Sequence, residues 1–291
     1  LMMASYTMAH LKLGVTLKEL GYEGKNERLS VWLTNSLEES VHEVPNLFMS
    51  QWLTQESNEA SKIKSEMPIM VVVGNPPYAV SSMNPSKDEN GKPTHIGALL
   101  QDYKKDLNER KINLDDDYIK FIRFAENAIE KTGSGVVAMI TNNSFIDGVT
   151  HRQMRKHLME TFDEIYILDL HGSAKKNEEG NVFGIEQGVS INIFVKTGAS
   201  KAFARVHYAE IQGSQSHKFD QLNSLNFEST KWTELTPDEQ YAFFVPKDFS
   251  AQGKYEEGFK IDNLMPLYNS GIQTKRDSFT IHFSEKELRT V

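Results

Sequence analysis

The feature that most constrains this chain is Ile69-Met70-Val71-Val72-Val73, followed at once by Gly74-Asn75-Pro76-Pro77-Tyr78. Five apolar residues, most of them β-branched, predict a short strand buried on both faces of a parallel sheet. Two consecutive prolines remove two backbone donors and fix two φ angles, so the strand stops and the turn is stiff. The residue before a proline is driven toward extended geometry, which restrains Asn75. The expectation is a rigid turn at the carboxyl end of a strand, where open α/β sheets bind their ligands. It offers an amide, two carbonyls and an aromatic ring.

The remaining patterns build a sheet around that strand. Ala4, Met8, Leu11 and Val15 recur at helical spacing over residues 1–20, with Gly21 as the stop. His10 within it reads as an ordinary core or surface residue. Leu29–Leu33 reads as a strand leading into Thr34-Asn35-Ser36, and residues 38–66 as polar, helix-like sequence with Trp52-Leu53 as packing anchors. Residues 81–117 form a polar connection long enough to suggest function. Asp115-Asp116-Asp117 stand before the helical pattern Ile119, Ile122, Ala125, Ile129, and suit its N-terminus better than they suit a metal. That helix should end near Gly133. Val136–Ile140 is the next buried strand, with Thr141–Phe145 at its carboxyl end. Met154, Leu158 and Phe162 give the apolar face of a further helix, with Arg152, Arg155 and Lys156 on its other faces. Ile165–Leu170 is a strand, and a loop over 171–188 carries Lys175, Lys176 and Phe183-Gly184. Val189–Val195 is a strand with Ala202–Tyr208 as its antiparallel partner. This alternation predicts an α/β three-layer sandwich with a mixed, mostly parallel sheet.

At 291 residues, 39% hydrophobic and 25% charged, the chain suits a globular domain plus the start of another. The boundary is expected near Pro246, giving 1–245 and 246–291. No apolar run approaches the roughly 20 residues that span a bilayer, and no signal-peptide pattern is present, so the cytoplasm is the expected location. Without cysteine there is neither disulfide nor thiolate metal site. A net charge of -8 argues against gripping nucleic acid with the whole surface and leaves a local basic cleft open. The chain opens at Leu1 inside a helical pattern, and is expected to be a piece of a longer polypeptide.

Asn75-Pro76-Pro77-Tyr78 behind a hydrophobic strand resembles the catalytic motif of the γ-type DNA adenine-N6 methyltransferases. Asp117–Arg123 looks like the helix that follows the catalytic turn in those enzymes, and Val136–Phe145 like their next strand and loop. Phe183-Gly184-Ile185 before Val189-Ser190-Ile191-Asn192 is similar to the segment that sets an aromatic ring against a flipped base. Leu29–Leu37 resembles the strand and loop preceding the catalytic one. Gly271–Asp277 looks like the junction into a target-recognition domain of large restriction-modification polypeptides. The resemblance covers residues 1–210, and 240–291 more loosely.

What the resemblance implies is a Rossmann-like fold, S-adenosylmethionine as methyl donor, double-stranded DNA as partner and no metal. Asn75, Pro76, Pro77 and Tyr78 would be catalytic, with Tyr78 and Phe183 stacking on the target base. Thr34, Asn35 and Asn75 would face the cofactor, and Lys175, Lys176 and Arg276 would touch DNA phosphates. Plainer readings stand beside these. Tyr78 and Phe183 could be loop aromatics packed on the sheet, Thr34-Asn35 an ordinary turn, and the basic residues merely solvated. One departure is clear: the family's glycine-rich cofactor loop after the first strand has no counterpart here. It is expected upstream, together with a nuclease in some such polypeptides, and the isolated chain is expected to be inactive.

The chemistry explains the residue types. The lone pair of adenine N6 is delocalised into the ring, and acceptors for both N6 hydrogens localise it on nitrogen. An amide oxygen and a peptide carbonyl, from Asn75 and Pro76, can serve without any tuned base. The target base must leave the duplex to reach them. A similar turn serves enzymes that methylate protein glutamine or ribosomal guanine N2, and a non-catalytic nucleic-acid-binding module could retain the fold; both remain alternatives at the level of sequence.

Overall fold

The computed structural model describes residues 3–24, 28–38, 48–78, 82, 84–109, 114–176, 180–199, 203–267 and 284. Arg276 and the 271–277 junction lie outside them, as do Ala202 and the side chains of Trp52 and Leu53. The chain divides into two units, Leu1–Pro246 and Lys247–Val291. The described residues of the second include the short helices Gln252–Glu256 and Ile261–Leu264.

Six strands of the first unit form one sheet: β1 (Val71–Gly74), β2 (Gly135–Asn142), β3 (Glu164–Asp169), β4 (Val189–Lys196), β5 (Arg205–Glu210) and β6 (Thr233–Leu235). Their order is β1-β2-β4-β3-β5-β6. β1 pairs parallel with β2, and β3 with β5, while β4 is antiparallel to β2 and β3, and β6 to β5. Four strands therefore run one way and two the other. Alternation along each strand splits the apolar residues between two faces. Val137, Met139, Ile165, Ile167, Phe194 and Val206 meet α5 (Asp117–Thr132) and α7 (Arg152–Thr161) on one side. Leu168, Val189, Ala209 and Ile211 face the other way, toward Leu222 of α8 (Gln215–Ser224) and the 181–188 loop. The result is the expected three-layer α/β sandwich.

The helix signals read from sequence are met locally. α1 (Met3–Glu19) ends on Gly21 at φ +85°, with the Tyr22 amide donating back to the Leu17 carbonyl. α5 ends on Gly133 at φ +87°, and buries Ile119, Ile122, Ala125 and Ile129. Among the described residues no helix is long and apolar enough to cross a membrane.

Four expectations are corrected. Among the described residues β1 is not buried on both faces: it stands at the edge of the sheet and pairs with β2, and Val71 and Val73 are 62% and 75% exposed while Val72 packs inward. Leu29–Leu33 is not a strand. Its segment is tied by side chains to α2 (Phe48–Glu66), with Arg28 paired to Glu56 and stacked over Trp32, and Lys64 donating to the Asn35 carbonyl at 2.9 Å. β5 does not pair with β4, because both edges of β4 are taken by β2 and β3; it adds instead to the free edge of β3. Finally, Arg155 is fully buried. Its guanidinium donates to the carbonyls of Phe145, Gly148, Tyr241 and Ala242, at 2.5 to 2.9 Å for the shortest bond to each.

Candidate active site

Gly74 closes β1, and the double proline carries the chain off the sheet as a rigid turn. Pro76 is buried, while Asn75 and Pro77 are exposed. Tyr78 folds back over the turn, its hydroxyl donating to Asn75 Oδ1 at 2.7 Å and lying 3.3 Å from the Ile140 carbonyl of β2. The half-buried ring packs on the apolar cluster of Leu168, Val182 and Val189. Burial pushes the Tyr78 phenol up to about 12, so it stays a neutral donor near pH 7. A carbonyl-type oxygen has two lone pairs, and Tyr78 occupies one on Asn75, leaving the other for an incoming N–H.

Phe183 meets Tyr78 at a ring-centroid distance of 5.8 Å and an interplanar angle of 47°. This is an offset, tilted contact of the kind aromatic quadrupoles favour. Phe183 is 44% exposed and Asn75 is exposed, and each contacts Tyr78. Phe183 is thus brought beside Tyr78 and the Asn75 turn from over a hundred residues along the chain.

The other candidates are placed differently. The Asn35 amide donates to Glu38 Oε1 at 3.0 Å and Asn84 Oδ1 at 2.8 Å, and its oxygen accepts from the Leu37 amide. The Thr34 hydroxyl contacts the Asn35 carbonyl and Lys64 Nζ. These bonds tie both side chains to the local turn and to α2. Lys176 forms a 2.9 Å surface pair with Asp147, and Lys175 is exposed beside it in a short 3-10 turn. Arg276 lies outside the described residues. Of the acid run, Asp116 occupies the N-cap position of α5 without a side-chain cap bond. Asp117 accepts from Ser82 and Asn84, and Asp115 from Ser86 and Lys104, so the run anchors the 82–86 segment.

Two groups of residues escaped the sequence reading. At the carboxyl ends of β2 and β3, buried Asn143 donates to Asp169 Oδ1 at 2.8 Å, and its backbone amide binds the Gly188 carbonyl. Deeper in the sheet, Asn192 donates to Met139 O and Thr141 Oγ1. The usable signal was polar residues breaking apolar strand runs, since buried amides persist only when fully bonded. The second group, Asn181, Gln215 and Lys218, holds the loop that carries Phe183.

Comparison with known families returns a match to the Eco57I restriction-modification methylase family over residues 6–175. No curated protein matches the chain. Among solved structures, the chain is similar to the ATP-dependent Type ISP restriction-modification enzyme LlaBIII bound to DNA, with TM-score 0.75 and 24% identity over 99% of this chain and 20% of that one. It is similar to DrdV in a DNA complex, with TM-score 0.74 and 26% identity over 100% of this chain and 30% of that one. A third likeness is to a nuclease-deletion mutant of the Type ISP enzyme LlaGI with a DNA substrate mimic, at TM-score 0.72 and 22% identity, over 100% and 24%. The chain spans less than a third of the length of each of these proteins. The family match covers 170 of 291 residues and includes the Asn75 turn, so the chain belongs to the Eco57I restriction-modification methylase family.

Proposed function

We propose that this chain carries the target-amine part of a DNA adenine-N6 methyltransferase site within a restriction-modification polypeptide. The observation that carries the reading is the juxtaposition of the Asn75 amide, the neutral Tyr78 phenol and the exposed Phe183 ring at the carboxyl end of β1. The free lone pair of Asn75 Oδ1 and the Pro76 carbonyl accept the two N6 hydrogens of a flipped adenine. These dipoles are fixed before reaction, so they favour the more positive nitrogen of the transition state without reorganising. The Tyr78 ring provides a stacking face, with each base-aromatic stack contributing about 1–3 kcal/mol.

A methylase requires a methyl donor, which we take to be S-adenosylmethionine. Thr34, Asn35 and Asn75 are the residues of this chain that would face it, and no step is routed through it. Family membership favours DNA over protein glutamine or ribosomal guanine as the substrate. The test is to incubate the whole protein with labelled S-adenosylmethionine and unmethylated duplex DNA, then digest and identify the labelled nucleoside. N6-methyladenine is the expected product. Label on cytosine, or transfer to release factor but not to DNA, contradicts the proposal.

A further inference from the structure

The 181–187 loop presents Phe183 through an arrangement centred on one side chain. Asn181 Nδ2 donates to the Gly172 carbonyl at 3.0 Å and the Gln187 carbonyl at 2.6 Å. Asn181 Oδ1 accepts from the Phe183 amide at 2.9 Å and the Ile185 amide at 3.3 Å. A primary amide has two donors and two acceptor lone pairs, and all four are used to close this loop on itself. The backbone is shaped for it. Gly184 adopts φ +65°, and a Cβ on Gly172, at φ +87°, would come within 2.7 Å of the Asn181 Cα.

α8 fixes the same loop from behind. Gln215 Nε2 donates to the Val182 carbonyl at 3.0 Å, and the fully buried Lys218 Nζ donates to the carbonyls of Leu170 and Gly180 at 2.6 and 2.7 Å. Val182 is thereby held in the core cluster, and Phe183, the next residue, is turned outward onto Tyr78. Nothing in these bonds is needed to pair strands. They determine where one exposed aromatic ring sits.

We propose that Asn181 is a positioning residue of the target-base site, acting through Phe183: its four loop-closing hydrogen bonds hold that ring against Tyr78. The proposal rests on the methyltransferase reading above. A flipped base meets a ring already in place, and the entropy of ordering a surface aromatic is met on folding rather than on DNA binding. Asn181 touches no reacting atom. Its effect should therefore disappear once Phe183 is absent, which a general contribution to folding would not do.

The test is a double-mutant cycle in the whole protein, scored by transfer of labelled methyl groups to unmethylated plasmid DNA at saturating cofactor. Asn181→Asp keeps the two acceptors and loses both donors. It is expected to lower kcat by about 10-fold, within the range that misplacement by about 1 Å can cause, and to leave the KM for S-adenosylmethionine unchanged. In a Phe183→Ala background the same change should cost less than about twofold, because coupled residues are not additive. Asn181→Ser is read by the same criteria if the aspartate variant does not fold. Parental kcat in Asn181→Asp, or an equal loss in both backgrounds, overturns the positioning role. A parental protein that transfers no label to unmethylated DNA would instead overturn the methyltransferase reading, and methylation unaltered in both Asn75→Ala and Phe183→Ala would overturn the placement of its base site.

Discussion

At the scale of single residues, burial shifts the titration of two groups in opposite directions. Tyr78 stays protonated and so donates to Asn75 rather than repelling its oxygen. His151 is the buried counterpart on the far side of β2. Burial, with the Arg155 guanidinium adding to it, pushes its imidazole down to about 4. Its folded pKa lies below the ordinary value near 6.5, so the unfolded chain binds the proton more readily. The neutral ring then favours folding above about pH 6.5, and that advantage is lost as pH falls toward 4. Urea unfolding at pH 7 and pH 4.5 should show His151→Gln losing less stability over the interval than the parent, by on the order of 2 kcal/mol. Equal losses in the two proteins would contradict this. The two ends of the site differ in how legible they were. Asn75-Pro76-Pro77-Tyr78 could be read because its chemistry is local: the strand, the stop and the acceptors are consecutive. Asn181 could not, because its meaning depends on partners at 172, 183, 185 and 187 that only the closed loop brings together.

At the scale of elements, helices were legible and strand environments were not. α5 follows from a 3.6-residue pattern and a glycine able to adopt positive φ. Burial of β1 could not be read from its own residues, because a run of valines looks the same at an edge as in the middle of a sheet. The placement of β5 likewise follows from which edge remained free. Arg155 shows the limit of amphipathic patterning in α7, since an arginine belongs inside when enough carbonyls converge on it. It links the Phe145–Gly148 turn after β2 to the Tyr241-Ala242 segment. Arg155→Met should leave those carbonyls without a buried donor and cost about 3–5 kcal/mol in chemical denaturation. Lys156→Met, one position along the same helix, should change stability by less than about 0.5 kcal/mol. Similar effects for the two would mean that the arginine is not the link described.

At the scale of the whole molecule, both apolar clusters draw, among the described residues, on positions up to Val245. The Leu1–Pro246 unit therefore contains the core that stabilises the sheet, and removing residues 247–291 should shift its melting temperature by less than about 3 °C. Loss of cooperative melting would show that the later residues are needed for the fold. The acidic net charge is consistent with a DNA-acting family because phosphate contact and base chemistry are separate tasks. In the proposed site the Asn75 turn meets an uncharged base edge, a task for fixed acceptors rather than positive charge. That turn is where the account is most exposed to experiment. Methyl transfer to unmethylated duplex DNA should be measured for Asn75→Ala in the whole protein, alongside DNA affinity and thermal melting. The expected result is a fall of at least about 100-fold in methylation, with affinity and melting near parental values. Methylation at the parental rate would contradict the assignment of Asn75 as the acceptor of the target amine.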